Sequence, residues 1–81
     1  MTIAPYQRVA LTADMPEHHL RKGDVAVVVE HVPASDVSHG EAGYALEVCN
    51  ALGDTLAVVL VPASSVEALR EDEVLHVRSM G

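Results

Sequence analysis

Imidazole is the commonest zinc ligand, so His18, His19, His31, His39 and His76 are the first residues of this chain whose chemistry needs a reading. Their spacing argues against a ready-made site. His18 and His19 are adjacent, no His-x-x-x-His or Cys-x-x-Cys pattern occurs, and any metal would need loop and strand-end residues to converge in space. The expectation is that His18, His19 and His39 are exposed loop residues and that His31 and His76 stand at strand ends. Metal or small-ligand binding by these histidines is the alternative, and no cofactor is expected.

The remaining reactive side chains point away from catalysis. Cys49 would need a neighbouring base or cation to become a thiolate, yet Glu47 is the ionisable group beside it, and a carboxylate raises a thiol pKa. Ser64-Ser65 lacks a Gly-x-Ser-x-Gly elbow and is better suited to capping, with Glu67 three residues after Ser64. Gly23-Asp24 leads into an extended run and resembles a turn, not a phosphate loop. Glu17, Asp24, Glu30 and Glu47 read as a solvated face, because an active-site carboxylate needs burial or a close like charge. With no nucleophile, base and orienting group in one arrangement, an enzyme is not expected.

Charge and composition narrow the partners. Twelve Asp and Glu against five Lys and Arg give a net charge of −7 in 81 residues. Such a balance repels phosphate backbones and anionic membrane surfaces, and Tyr6 and Tyr44, the only Phe, Trp or Tyr residues, offer little for base stacking. Neither nucleic acid nor membrane is an expected partner. Met1-Thr2-Ile3-Ala4-Pro5 lacks a basic start followed by an apolar stretch, and the apolar runs Val25–Val29 and Leu56–Pro62 are far shorter than the roughly 20 residues of a bilayer span. One cysteine allows no internal disulfide, so a cytoplasmic protein is expected.

The elements that must position these groups are short and β-rich. Strands are predicted at Arg8–Thr12, Asp24–Val32, Gly43–Cys49, Thr55–Val61 and Val74–Arg78, from β-branched content and, at Tyr44, Leu46 and Val48, a period of two. Asp14, Pro16 and Gly23 mark an excursion loop after the first strand, and Pro33 to Gly40 a second loop. Asn50, Gly53 and Asp54 close a hairpin, and a single helical turn is predicted within Ala63–Leu69, before the last strand. This order matches a mainly β, five-stranded SH3-like barrel forming one domain over residues 1–81, with its core in about 6–78.

The segments Val9-Ala10-Leu11-Thr12-Ala13-Asp14-Met15-Pro16-Glu17, Leu20-Arg21-Lys22-Gly23-Asp24-Val25 and Val28-Val29-Glu30 resemble the domain of unknown function 4926, a small bacterial family. Tyr44–Val48 and Gly53–Val59 stand where that family carries its later strand and hairpin, so the resemblance covers about residues 6 to 69. Two departures are Ala26-Val27 in place of Gly-Thr and a longer loop from Pro33 to Ala42. The resemblance implies an SH3-like fold and brings no catalytic residues, and related barrels serve as protein-binding or assembly modules.

Apolar strand residues exceed what one inward row can hold. If Tyr44, Leu46, Val48, Leu56, Val58 and Leu60 line the interior, Val59 and Val61 point outward, and alternation likewise separates Val25, Val27 and Val29 from Ala26 and Val28. Val27, Val29, Val59 and Val61 are therefore the predicted contact residues for a protein partner or a second copy. The expected function is a non-catalytic interaction or regulatory subunit of a bacterial cytoplasmic complex.

Overall fold

Runs of Val, Leu and Ala without helical spacing are extended in a computed structural model of the chain, which describes residues 3–34 and 41–79. The strands are β1 (Arg8–Leu11), β2 (Val25–Val32), β3 (Gly43–Cys49), β4 (Thr55–Pro62) and β5 (Val66–Ala68). Two 3-10 turns, Pro16–His18 and Ala63–Ser65, complete the regular structure of the described residues. All five strands form one antiparallel sheet in the order β4-β3-β2-β1-β5. Among the described residues, no helix is long and apolar enough to cross a membrane.

The connection from β4 to β5 forces the sheet to curl. These strands occupy opposite edges, which in a flat five-stranded sheet would lie about 19 Å apart. Only Ala63–Ser65 separate Pro62 from Val66, and that span reaches at most about 14 Å. The sheet therefore bends its edges toward each other, although β4 pairs only with β3 and β5 only with β1 among the described residues. Register shifts between Val28 and Glu30 on β2, and between Val48 and Cys49 on β3, add local bend and twist.

The concave face holds an aliphatic core of Val9, Leu11, Ala26, Val28, Leu46, Val48, Val59, Val61 and Val66, joined by Tyr44. Met15 and Leu20 reach it from the excursion loop, which they close with reciprocal backbone hydrogen bonds of 2.8 and 3.1 Å. The buried Tyr44 hydroxyl accepts the Ile3 N–H at 3.0 Å, so its polar end has a partner. Burying each Val or Leu contributes about 1.5–3 kcal/mol, and this face is where that contribution concentrates.

Two expectations are corrected. The fifth strand is Val66–Ala68, not Val74–Arg78, because Pro62 and the 3-10 turn redirect the chain at once and Val66 and Ala68 pair with Leu11 and Val9. The helical turn is confined to Ala63–Ser65 and has no side-chain cap; the Ser64 N–H donates to Glu41 Oε1 at 3.1 Å instead.

A third correction is the facing of β4. Val59 and Val61 were expected outside and are 7% and 1% exposed, whereas Leu56, Val58 and Leu60 were expected inside and are 50%, 63% and 52% exposed. Directly opposed residues in an antiparallel pair share a face, and the register sets Leu46 against Val59 and Tyr44 against Val61. The shift near the hairpin, where Ala57 faces Val48 but Thr55 faces Cys49, leaves Leu56 as the extra residue.

Gly43 shows how closely β3 and β4 approach: a Cβ there would lie 2.5 Å from the Val61 carbonyl oxygen, a backbone atom that cannot swing aside. Gly43→Ala should therefore lower the unfolding free energy by about 1–3 kcal/mol, read from urea melts. An unchanged midpoint would show that the two strands are looser than described.

Candidate functional site

The convex face starts at β4 and crosses four strands. Val58 stands opposite Glu47, Glu47 opposite Val27, and Val27 opposite Arg8, so one transverse row carries an exposed valine, a carboxylate, a half-buried valine and an arginine. Leu60 lies beside Ala45, and Leu56 projects near the hairpin end. Val27 thus sits on the outer face as expected, and Val29, half-buried, is the unpaired residue of the β2 irregularity. The exposed aliphatic row of the sheet is Leu56, Val58 and Leu60, which the alternation of β4 revealed only once its register was known.

Among the described residues the same strand is an open edge, and its hydrogen-bonding phase follows from one contact. The Ala63 N–H donates to the Ala42 carbonyl at 2.9 Å, flanking the opposed pair Gly43 and Pro62. That pair is consequently a non-hydrogen-bonded one, and alternation makes Val61 and Val59 the residues that bond β3. The backbone groups of Leu60 and Val58 are thereby directed to the open side of the sheet.

Beyond β5 the chain turns at Arg70–Glu73, where the Arg70 N–H donates to Glu73 Oε1 at 2.6 Å, and an irregular tail returns over the convex face. Arg78 holds the tail down. Its Nε donates to Asp24 Oδ1 at 2.7 Å, its Nη2 pairs with Asp24 Oδ2 and also donates to the His19 carbonyl at 3.1 Å. Asp24 Oδ2 accepts the Arg21 N–H at 2.8 Å as well, so the turn Arg21–Asp24 aims the carboxylate at the tail. Gly23 permits that turn with a φ of 92°.

The side chains of Arg78 and Asp24 are only 21% and 18% exposed. Hydrogen bonding from Arg78, assisted by the Arg21 amide, lowers the Asp24 pKa despite the opposing cost of burial. Two clefts flank the tail, of about 510 and 740 Å³. Val25, Leu75 and His76 border both, while Val27, Glu47 and Leu56 border the larger.

The groups considered for chemistry are dispersed. His18 ends the first 3-10 turn, His19 follows it with a left-handed φ of 58°, His31 packs on Tyr44 with ring centroids 5.4 Å apart, and His76 lies on the tail. His39 lies outside the described residues. Among the described residues, no three His, Cys, Asp or Glu side chains meet as a metal site would require. The Cys49 thiol donates to Glu47 Oε1 at 3.2 Å, and this bond, followed by burial, raises its pKa. Asp24 is engaged across the fold by a side chain: its partner Arg78 is 54 residues away and had no local signal in the sequence.

The family model described as "Domain of unknown function (DUF4926)" matches residues 6–68, a stretch that takes in all five strands. No curated protein and no solved structure matches the chain.

Two outcomes are expected from this geometry. Cys49 should alkylate slowly with iodoacetamide at mildly alkaline pH, and Glu47→Gln should quicken the reaction several-fold by removing the carboxylate that holds the thiol proton; equal rates in the two proteins would refute that role. The Asp24 carboxylate has a lower pKa folded than unfolded, so its contribution to holding the tail is complete above the ordinary aspartate value and is lost as pH falls through the depressed one. Limited proteolysis of residues 70–79 should therefore accelerate below about pH 4. Asp24→Asn should show the faster cleavage at neutral pH, and a tail equally protected in both proteins would discount the ion pair.

Proposed function

The chain belongs to that family of unknown function, and we propose that it is a non-catalytic protein-binding module, a subunit or regulator of a bacterial cytoplasmic complex, whose docking face is the convex side of β4. The observation that carries this reading is the exposed row Leu56, Val58 and Leu60 on a strand at the sheet edge. Water contact at three neighbouring aliphatic side chains is unfavourable, and such a patch on a small domain marks an association surface. The clefts beside the tail extend the same face toward Val27 and Leu75.

The element order, the 3-10 turn between β4 and β5, and the pairing of β5 with β1 support reading the curled sheet as an SH3-like barrel. Recognition of proline-rich peptide in the manner of SH3 domains does not fit this surface. That mode needs an aromatic floor, whereas Tyr44 is buried in the core and Tyr6 stands alone on the surface. Aliphatic docking by a partner whose rim is basic fits both the exposed row and the net charge of −7.

Affinity capture from native lysate tests this reading with the wild type beside Leu56→Lys and Leu60→Lys, both at exposed positions that leave the core intact. The wild type should retain one stoichiometric protein, and each variant should lose it by at least about tenfold, or 1.4 kcal/mol. Retention by both variants, or no retained protein under gentle conditions, would overturn the proposal.

A further inference from the structure

We infer that the open edge of β4 pairs antiparallel with β4 of a second copy, joining two five-stranded sheets across a two-fold axis at Val58. The inference rests on reading the β4 face as an interaction surface and adds which chain meets its edge.

Sheet edges in stable proteins are ordinarily blunted by charge, shortness, proline or bulges. The two edges here differ in this respect. β5 has three residues and carries Glu67. β4 has eight, from Thr55 to Pro62, with no charged side chain among them. Its only blunting features stand near its ends, at Pro62 and at the irregularity beside Leu56. The middle is left open, and there the backbone N–H and C=O groups of Val58 and Leu60 face outward by the alternation set at the Ala63 to Ala42 hydrogen bond.

A second copy satisfies this edge in backbone and side chains together, and the edge strand adds no charge of its own. Outward-directed groups recur every second residue, so an antiparallel copy presents the same donors and acceptors in matching phase. A two-fold axis perpendicular to the sheet keeps the convex faces of both copies on one side, bringing the rows Leu56, Val58 and Leu60 of each into one continuous apolar strip. Pro62 then falls at the ends of the new ladder, where its missing N–H matters least. Two chains of charge −7 repel, and the uncharged strand β4 is where they can approach without opposing like charges on the paired strands.

Sedimentation equilibrium from low micromolar to sub-millimolar concentration tests the inference on the full chain, with Val58→Pro and Val58→Lys. Val58→Pro removes an N–H that faces away from β3, and Val58→Lys sets like charges against each other across the two-fold axis. The wild type should reach twice the 8.6 kDa mass of one chain, and each variant that keeps the wild-type circular dichroism should stay at the single-chain mass. If Val58→Pro fails to fold, Val58→Lys decides. Amide exchange at Val58 and Leu60 should slow as the dimer forms, whereas the amides of Val59 and Val61 should be protected in monomer and dimer alike. A wild type that is monomeric throughout, or a folded Val58→Lys that still dimerises, overturns the inference. Leu60-dependent capture of a different protein by a monomeric chain would leave the proposed function standing and refute only the self-pairing.

Discussion

Three residues between β4 and β5 set the shape on which everything else depends. Because Ala63–Ser65 must carry the chain from one sheet edge to the other, the sheet curls and encloses the side chains of its concave face. A small curled sheet has limited interior volume. Val, Leu and Ala fill it, and the single core tyrosine is accommodated because its hydroxyl reaches the Ile3 amide. Once the inward places are taken by Val59 and Val61, the alternation of β4 leaves Leu56, Val58 and Leu60 no position except the surface. The apolar convex row is thus a geometric consequence of a strand that is aliphatic on both faces.

The tail is held on different physical terms. Its apolar residues Val74 and Val77 are 93% and 91% exposed, so burial of those side chains contributes little to its attachment. The bidentate pairing of Arg78 with Asp24 supplies the specific contact, and the guanidinium geometry that allows two parallel bonds to one carboxylate is what a lysine could not reproduce. Asp24 serves two structures at once, completing the Arg21–Asp24 turn through the Arg21 amide and clasping the tail through Arg78. Strand β2 begins immediately afterwards at Val25, so the carboxylate is fixed relative to the sheet.

Local chemistry in the sequence located most strands, and long-range pairing explains what it missed. Gly43–Cys49 was legible because Tyr44, Leu46 and Val48 alternate, and Val25–Val32 because its residues are β-branched. The facing of β4 was not legible, since Leu56, Val58 and Leu60 are as apolar as Val59 and Val61 and hydrophobicity cannot choose between two such rows. Register chooses, and it depends on an irregularity at the hairpin that no single residue announces. Val66–Ala68 was hidden for a related reason: three residues become a strand only by pairing with β1, far back in the chain. The more β-branched Val74–Arg78 therefore attracted the assignment. At the candidate site, the restraint of Cys49 by Glu47 could be read from spacing, while the clasp between residues 24 and 78 could not.

The distribution of charge connects these features to function. Acidic side chains surround the fold in its loops, at Asp14, Asp54 and Glu71–Glu73, where they favour solvation and oppose indiscriminate association. β4 carries none, although it combines an exposed aliphatic row with outward-facing backbone groups. Net negative charge and one neutral, hydrogen-bond-competent edge thus stand on different parts of the same small fold. At β4 outward backbone groups and exposed apolar side chains lie on one strand, a combination that the shorter edge strand β5, with Glu67, does not offer. The absence of charge along β4, set against the acidic loops, is what makes the aliphatic strand the chemically distinct edge of this sheet.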